Sequence, residues 1–446
     1  MNGSDSACLA VEASLDAIDA THASINAYTE VTRVRALARA DLLDASGDGS
    51  LPLFGVPFAA KNLFDIAGLT TLAGSKIERD APPAIDDAVL IQRMEAAGAV
   101  LVGALNMDEY AYGFTTENTH YGPTCNPHDL TRIAGGSSGG SGAAVAAGTV
   151  GIALASDTNG SIRVPASLCG VFGLKPTFGR LTRRGSYPFV TSLDHLGPLA
   201  RDVKQLALAY DAMQGPDARD VGCAQRAIES TVPTLDRGIG GLRIAVLGGW
   251  FDHHAGIDAK AAVALVGRAL GATASVDFVD AEAARAAAFL ISNAQGAALH
   301  LSDLRTRPQD FEPLSRDRFL AGTLIPAAWV ARAQRVRRRA AATAARLFFD
   351  WDVLLAPATP CAAPRIGTEW IMIDGRQIAA RPNLGVLTQP LSAIGLPVCV
   401  APVFGATSGD DAHLPIGVQI IAAPWREDRV LQVARHLEST GTAFAV

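Results

Sequence analysis

A glycine-rich segment, residues 135–142, is the part of the sequence that most clearly predicts chemistry. It contains Ser137, and a second serine, Ser161, follows in the sharp turn of residues 157–163. A serine in such a turn can project its hydroxyl while neighbouring backbone N–H groups converge on one point, as an oxyanion hole requires. A nucleophilic serine also needs a base. Lys61, at the end of an apolar segment, is a candidate because desolvation lowers a lysine's pKa and leaves a neutral amine.

Four interpretations of the glycine-rich segment compete at this point. A phosphate-binding P-loop needs a Lys-Ser/Thr pair that closes the loop, and a dinucleotide-binding loop needs glycines at other offsets; the segment has neither. A nucleophile elbow, G-x-S-x-G centred on Ser138, matches the letters but requires an acidic residue and then a histidine downstream. In the fourth interpretation the glycines only allow a loop to pack against a helix. The combination of the glycine-serine segment with Ser161 and Lys61 favours a nucleophilic serine that uses a lysine as its base.

The charge of the chain argues against nucleic acid as its main partner. The 446 residues carry a formal net charge of −6, and the sequence pI is about 5.9, whereas phosphate binding needs a basic face. One group of arginines points in several directions around a predicted helix, which indicates a solvated surface. These arginines are Arg332, Arg335, Arg337, Arg338, Arg339 and Arg346.

The cysteines and the N-terminal residues predict a cytoplasmic protein. The six cysteines are scattered without close pairs or metal-ligand spacing, so we expect free thiols and no metal site. The first residues lack the cationic start and apolar block of a signal peptide. No apolar run reaches the roughly 18 residues that a membrane-spanning helix needs.

Apolar periodicity predicts a largely parallel or mixed sheet covered by helices on both faces. Residues 8–45 are predicted to form an amphipathic helix, and residues 51–61 a strand that ends at Lys61. Further helices are predicted at 88–97 and 261–270, and further strands at 99–103, 242–247, 352–356, 397–401 and 416–421.

Four motifs together resemble the amidase signature family. They are Lys61 after its apolar segment, the glycine-serine stretch 135–141, and the segments 157–163 and 169–176. The separation of the two serines matches that family's spacing, and segments 191–198 and 414–419 extend the resemblance over most of the chain. The resemblance implies the amidase signature fold of the α/β class, a large mixed twisted β-sheet sandwiched between helices on both faces. It also implies a single domain over 1–446, with a helical segment 1–50, a motif-rich core 51–212, a surface connection 213–240 and a C-terminal part 241–446.

The same resemblance implies a role for each residue that matches a family motif. Ser161 becomes the nucleophile, Lys61 the ultimate base and Ser137 the relay between them, after a Gly136–Ser137 peptide bond that is cis in this family. Backbone N–H groups form the oxyanion hole, and they belong to Thr158, Asn159, Gly160 and Ser161. The supporting residues are Asp157, Arg163, Gly136 and Ser138. This chemistry requires no metal or organic cofactor.

Two positions leave alternatives open. Arg163 either supports the loop together with Asp157 or faces a substrate carboxylate. Asn159 stands where many family members have glycine; asparagine tolerates a positive φ, and its amide narrows the pocket or hydrogen-bonds the substrate. Other candidates for substrate binding lie in segments that border the site, namely Tyr112, Thr115, Tyr187, His195 and Gln389.

Two branches of the family compete for the function. Residues 106–113, 116–118 and 122–127 are similar to the A subunit of aminoacyl-tRNA amidotransferase, which liberates ammonia from glutamine. Residues 157–165 and 181–189 resemble the branch that hydrolyses 1-carboxybiuret in s-triazine and cyanuric acid degradation, and this branch is favoured. Its members work with a small helical subunit similar to the amidotransferase C subunit, so we expect such a partner and an oligomer. The predicted function is ammonia release from 1-carboxybiuret or a related biuret, with glutamine hydrolysis as the alternative.

Overall fold

An eleven-stranded mixed β-sheet forms the centre of the computed structural model, which describes residues 6–47 and 49–446. The strands of these residues are β1 (Tyr28–Val31), β2 (Pro57–Lys61), β3 (Val100–Leu105), β4 (Glu117–Asn118), β5 (Gly122–Pro123), β6 (Cys125–Asn126), β7 (Asp129–Ile133), β8 (Ile152–Asp157), β9 (Phe172–Lys175), β10 (His195–Ala200), β11 (Ile244–Leu247), β12 (Ala274–Val276), β13 (Val353–Pro357), β14 (Trp370–Ile373), β15 (Arg376–Ala379), β16 (Val398–Val403) and β17 (Ile416–Ala422). The order in the large sheet is β1-β3-β2-β8-β10-β9-β16-β17-β13-β11-β12. The short strands β4 to β7, β14 and β15 form separate two-stranded ribbons.

Helices cover both faces of the sheet, which confirms the predicted fold class. They are α1 (Ala7–Ile25), α2 (Arg33–Ser46), α3 (Val89–Ala96), α4 (Gly139–Ala146), α5 (Arg163–Cys169), α6 (Val203–Met213), α7 (Trp250–His253), α8 (Ile257–Ala269), α9 (Ala281–Leu299), α10 (Leu301–Thr306), α11 (Pro313–Gly322), α12 (Ala327–Asp350), α13 (Ala380–Asn383), α14 (Gln389–Ile394) and α15 (Glu427–Ser439).

Successive residues of β2 alternate between two hydrophobic cores. Phe58 and Ala60 belong to the core under α3, α6 and α9, whereas Ala59 belongs to the core under α1, α2 and α4. Because side chains of a strand point alternately to the two faces of a sheet, this alternation shows that both faces are buried. It also explains why β2 is apolar at successive positions rather than at every second one.

The parallel arrangement of β2, β3 and β8 brings the predicted catalytic segments together. β2 pairs parallel with both β3 and β8, so the carboxyl ends of these strands lie at one edge of the sheet. Lys61 ends β2, and Asp157 ends β8 and leads into the turn with Ser161. α4 begins at the same edge, where Gly140 N donates to the backbone oxygen of Asn106, which follows β3 (3.1 Å).

The helix predicted over 8–45 is wrong at residues 26–32, where α1 ends and a strand intervenes. Asn26 ends α1 in the left-handed conformation, with φ 54°. Tyr28 and Val31 favour extended structure, and β1 pairs antiparallel with β3. Pairing with the sheet therefore overrides the helical periodicity of the flanking residues.

Most other predicted elements agree with the structure within a few residues. The strand predicted over 51–61 starts only at Pro57, because residues 51–55 form a turn closed by a bond from Phe54 N to Leu51 O (3.1 Å). Within the described part of the connection 213–240, residues 214–231 contain no helix or strand. Asp217 and Cys223 in it are nevertheless buried, so the segment packs against the body. The division of the domain into parts stays a prediction.

The predicted arginine-rich helix is α12, and its arginines are exposed except for Arg337. Arg337 is half-buried and donates through Nε to the Ala393 carbonyl oxygen (2.5 Å). The six cysteines are free thiols, as expected. Within residues 6–47 and 49–446, none of the helices is long and apolar enough to cross a membrane.

We predict that Gly140 tolerates no side chain. A Cβ atom there would lie 2.5 Å from the Ala27 carbonyl oxygen and 2.6 Å from the backbone N and O of Asn106. Because these atoms belong to the backbone, no rotamer change relieves the clash, and Gly140→Ala should lower the free energy of unfolding by about 1–3 kcal/mol. Thermal unfolding measures the effect against Gly240→Ala, where nothing lies within 4 Å of the added atom. Equal melting temperatures for the two variants would contradict the prediction.

Candidate active site

Lys61 lies fully buried at the end of β2, with its amine between two serine hydroxyls. Its Nζ is 2.6 Å from Ser137 Oγ and 2.9 Å from Ser156 Oγ. Within the described residues, no carboxylate lies at ion-pair distance from this amine. The lysine is therefore held by hydrogen bonds to neutral groups rather than by an opposite charge.

Burial lowers the pKa of Lys61 from its ordinary value to about 7, because little water can solvate the ammonium form. The negative charges of Asp108, Asp157 and Asp194 act in the opposite direction and limit the fall. The amine is neutral in a substantial fraction of molecules near pH 7. In that form it can accept a proton from a hydroxyl group.

Ser137 and Ser138 follow one another at the start of α4 but have different surroundings. The Gly136–Ser137 peptide bond is cis, as the family resemblance implied, and the Ser137 hydroxyl contacts Lys61. The Ser138 hydroxyl instead donates to the backbone oxygen of Ser156 (3.2 Å). Ser138 is therefore engaged with β8, and the geometry does not support a nucleophile elbow centred on it.

A buried ion pair closes the turn that carries Ser161. Arg163 Nε lies 2.8 Å from Asp157 Oδ2, and Arg163 Nη2 lies 3.0 Å from Asp157 Oδ1. Both side chains are 0% exposed. Burial alone would raise the pKa of Asp157, but the Arg163 guanidinium reverses this effect and holds the pKa below its usual range. Asp157 Oδ2 also accepts from the backbone N–H of Ile162 (3.3 Å).

The remaining donors of Arg163 contact the C-terminal half of the chain. They reach the Thr388 carbonyl oxygen (3.0 Å), Gln419 Oε1 (2.8 Å) and Ser392 Oγ (2.5 Å). Arg163 is thus saturated by protein groups, so of the two alternatives the structure supports the role within the loop. It fixes the turn to α14 and β17.

The turn itself presents unused backbone donors. In the described residues, no protein acceptor is bonded to the backbone N–H groups of Thr158, Asn159, Gly160 and Ser161. Gly160 adopts φ 143°, and a Cβ atom there would lie 2.1 Å from Thr388 Oγ1, so only glycine fits. The predicted oxyanion-hole residues therefore offer donors that a negatively charged oxygen can use.

A narrow cavity opens onto Ser161, and its walls are largely aromatic. The residues that line it are Ala111, Tyr112, Gly113, Phe114, Thr158, Asn159, Ser161, Phe189, Phe289, Ser292, Arg318 and Gln389. Its polar side chains come from the turn after β8, from Ser292 on α9, Arg318 on α11 and Gln389 on α14, and from Tyr112. The cavity is small in this structure and brings polar groups and aromatic rings together beside Ser161.

Arg318 supplies a positive charge to this cavity. Its guanidinium lies 3.7 Å from the centre of the Tyr112 ring, and its Nη1 donates to the Tyr112 backbone oxygen (3.2 Å). In the part of the chain that the structure describes, no carboxylate lies at ion-pair distance from Arg318. The Tyr112 hydroxyl in the same cavity is buried and has no hydrogen-bond partner among residues 6–47 and 49–446. Together the two side chains can bind an anionic group of a ligand.

Two of the five predicted substrate-binding residues, Tyr112 and Gln389, line the cavity. Gln389 Oε1 accepts from Arg285 Nε (2.8 Å), which orients its amide. Tyr187 lines a neighbouring cleft together with Ser156, and its hydroxyl donates to Glu78 (3.1 Å).

Thr115 and His195 are not among the lining residues. The Thr115 backbone N–H donates to Asp108 Oδ2 (3.3 Å). The His195 Nδ1 bonds the Asp157 backbone oxygen (3.0 Å), and its ring packs edge-on against Phe178. These contacts hold both residues next to the elements of the site, and their contact with a substrate stays a prediction.

Sequence reasoning did not identify Ser156, Ser292 or Arg318 as site residues. Ser156 is adjacent to Asp157 in an apolar strand, and its position next to a motif was the only available signal. Ser292 and Arg318 lie on α9 and α11, in a region without a recognisable motif. Their contribution depends on how these helices pack over the strand ends.

Comparisons with known proteins agree with this geometry. The family model described as Amidase matches residues 10–431. The 1-carboxybiuret hydrolase subunit AtzE of Pseudomonas sp. (strain ADP) is 61% identical to this chain over 445 residues. The match covers 99% of this chain and 97% of AtzE. The A subunit of the glutamyl-tRNA(Gln) amidotransferase of Anaeromyxobacter sp. (strain K) is 38% identical, over 96% of this chain and 92% of that protein.

Solved structures give the same result. One, described as a vestigial protein complex that reveals the evolutionary origins of an s-triazine catabolic enzyme, has a TM-score of 0.97 at 60% identity, covering 99% of this chain and 96% of that one. The 6-aminohexanoate cyclic dimer hydrolase complexed with substrate has a TM-score of 0.86 at 30% identity, covering 98% and 94%. Because these matches cover almost its whole length, this chain belongs to the amidase family, whose members are also called amidase signature enzymes.

Proposed function

We propose that this chain is a serine amidohydrolase that hydrolyses 1-carboxybiuret, a small carboxylated urea-like amide, and releases ammonia. The 61% identity to AtzE of 1-carboxybiuret hydrolase supports this substrate. The observation that carries the proposal is the arrangement at the cavity. A turn with unused backbone donors and a guanidinium without an acidic partner among the described residues line the cavity at Ser161. The buried Lys61–Ser137 pair stands at the same edge of the sheet, where Lys61 also bonds Ser156 just before that turn.

In the proposed acylation, neutral Lys61 accepts the proton of the Ser137 hydroxyl while Ser137 takes the proton of Ser161. The Ser161 oxygen attacks the scissile carbonyl carbon, and a C–O bond forms as the carbonyl π electrons move onto oxygen. The backbone N–H groups of residues 158–161 bind the resulting oxyanion. When the intermediate collapses, the C–N bond breaks and Ser137 passes a proton to the departing nitrogen, regaining one from Lys61.

Deacylation repeats these steps with water. Lys61, again neutral, draws a proton from water through Ser137, and the hydroxide formed attacks the acyl carbon. The bond to the Ser161 oxygen then breaks, and that oxygen receives the proton. One amide and one water give one carboxylic acid and one ammonia, and the enzyme returns to its starting state.

Arg318 and the Tyr112 hydroxyl are the proposed anchors for the substrate carboxylate. Arg318 has donors directed at the cavity and no acidic partner among the described residues, and the buried Tyr112 hydroxyl is unpaired. An uncompensated charge in a poorly solvated cavity is costly, and a bound carboxylate offsets that cost. A neutral amide of the same size lacks this interaction.

We further propose a cytoplasmic location and a small helical partner protein. The similarity to a structure described as a protein complex supports a partner, and the related amidotransferase chains are by name parts of larger enzymes. The free thiols support a reducing compartment. Activity measured with and without a candidate small helical protein tests the partner proposal.

Ser161→Ala should abolish ammonia release while the fold is retained. The variant lacks the oxygen that forms the acyl bond, and losses of about 10⁴-fold or more are typical when a nucleophile is removed. Ammonia release from 1-carboxybiuret generated in situ, biuret, malonamate and glutamine is the measurement, with circular dichroism as the control for folding. Serine-dependent turnover of glutamine alone would replace the proposal by the amidotransferase-type reaction, and full activity of Ser161→Ala would refute the nucleophile.

Turnover should fall as the pH decreases through about 7. Lys61 is a base only when its amine is neutral, so protonation below its pKa removes the active form, and kcat/KM should rise with pH and level off above it. The measurement is kcat/KM over a pH series that extends about two pH values to each side of 7. Enzyme returned from each pH to about pH 8 must regain full activity, so that unfolding is excluded. A flat profile across this range would argue against Lys61 as the base.

Arg318→Met should discriminate between charged and neutral substrates. The variant keeps an unbranched side chain but removes the guanidinium and its charge, and charge-assisted hydrogen bonds contribute about 1.5–3 kcal/mol. We therefore expect KM for malonamate to rise about 10- to 100-fold, with little change for malonamide. Arg316→Met, which removes an arginine beside Asp317 at the surface, is the matched control. Equal effects of Arg318→Met on both substrates would contradict the carboxylate anchor.

A further inference from the structure

The Asn159 side chain is buried in the cavity and has an unused hydrogen-bond acceptor. Asn159 is only 8% exposed and lines the cavity together with Ser161. Its Oδ1 atom is buried and has no hydrogen-bond partner among the residues that the structure describes. A buried carbonyl oxygen without a partner costs about 1–3 kcal/mol, and such groups in folded proteins usually have a partner. This oxygen is therefore a candidate for contact with a ligand.

Two contacts hold the asparagine in place. Its Nδ2 donates to Ser292 Oγ of α9 (2.9 Å), and its backbone oxygen accepts from Thr388 Oγ1 (2.7 Å). With Nδ2 engaged on one side, Oδ1 is directed away from α9. Because hydrogen bonds hold both the side-chain nitrogen and the backbone oxygen of Asn159, the side-chain amide has a defined orientation. The lone pairs of Oδ1 therefore point in one direction.

The backbone does not explain why an asparagine stands here. Sequence reasoning suggested that asparagine was tolerated because of a positive φ, but Asn159 does not have one; the positive φ of the turn belongs to Gly160. The suggestion about φ is therefore wrong for this residue. Many side chains are compatible with the backbone at this position, which leaves the amide itself as the feature to be explained.

The other polar groups in the cavity are mainly donors, so the acceptor stands out. Arg318 presents N–H groups, Tyr112 a hydroxyl, and the turn its backbone N–H groups. The Oε1 acceptor of Gln389 is already bonded to Arg285. A ligand that satisfies Asn159 Oδ1 must bring a hydrogen-bond donor to a point close to the attacked carbonyl. In a urea-like molecule, the nitrogen that flanks this carbonyl carries such an N–H.

We propose that the Asn159 side chain is a specificity-determining group that accepts a hydrogen bond from the N–H next to the scissile carbonyl. It selects N-acylurea-type substrates over carboxamides that have a CH₂ group at the same position. This inference rests on the proposed amidohydrolase function and deepens it, because it names the substrate feature that the cavity recognises. A CH₂ group leaves Oδ1 buried and unpaired, which should weaken binding of the transition state about 10- to 100-fold.

Two pairs of substrates isolate this one group. Biuret and malonamide are neutral and differ only by N–H against CH₂, and allophanate and malonamate repeat that difference with a carboxylate. Hydrolysis of any of the four releases ammonia, so one assay gives kcat/KM for each compound. For a compound that is not turned over, we instead measure its inhibition constant against turnover of 1-carboxybiuret. We expect wild type to prefer the N–H member of both pairs by about 10- to 100-fold.

The variants Asn159→Leu and Asn159→Ala should lose this preference. Leucine has about the volume of asparagine but no hydrogen-bond acceptor. Alanine is the second variant because it places no large apolar side chain beside Ser292, where leucine could disturb folding. Both variants should bring the N–H/CH₂ ratio to about one, through loss of activity on the N–H members alone. Phe349→Leu, which changes an exposed residue of α12 outside the cavity, is the control and should leave the ratio as in wild type.

The outcomes separate this inference from the function on which it rests. A wild-type enzyme that prefers biuret and allophanate, with the preference lost in both Asn159 variants, supports the inference. A preference that survives in Asn159→Ala overturns it while leaving the amidohydrolase proposal intact. Wild type that turns over glutamine but none of the urea-like compounds overturns both. Thermal unfolding of every variant confirms that the comparison concerns folded protein.

Discussion

The free energy of burying the Lys61 amine is the constraint on which the site depends. A charged amine in a dry interior costs several kcal/mol unless it is paired. Among the described residues, only serine hydroxyls lie within hydrogen-bond distance of the Lys61 amine. The neutral form therefore becomes accessible near pH 7. The fold enforces this burial by placing β2 between two parallel neighbours, so that its last residue ends inside the protein rather than at the surface.

The buried pair of Asp157 and Arg163 solves a second problem, the position of Ser161 relative to Lys61. Both charges are removed from water, and in their bidentate contact each compensates the other. The arginine also bonds residues more than half the chain away, including Thr388 and Gln419. The turn with the free N–H groups is thus held by residues of the C-terminal half of the chain, although the motifs of the site lie in the first half.

The sequence predicted the buried cluster around Lys61 better than the residues that line the cavity. Lys61, Ser137 and Ser161 lie in motifs at fixed spacing, and parallel strands bring the ends of β2 and β8 together by geometry alone. Arg318 and Ser292 reach the cavity from α11 and α9, which have no motif and whose packing is a long-range property. Local periodicity also misjudged β1, because its pairing with β3 is decided by residues far along the chain. For Asn159, the identity of the residue was noticed, but the reason suggested for it, backbone conformation, was incorrect.

The ionisation of Lys61 in the free protein tests the central claim most directly. The lysines of the chain are Lys61, Lys76, Lys175, Lys204 and Lys260. Labelling lysine Cε with carbon-13 therefore gives few resonances, and the one that is lost in Lys61→Arg belongs to Lys61. We predict that this resonance titrates with a midpoint near pH 7, well below the value of about 10.4 for an exposed lysine. A midpoint near that ordinary value would mean that the amine stays charged at neutral pH, and it would contradict proton transfer from Ser161 through Ser137 to a neutral Lys61.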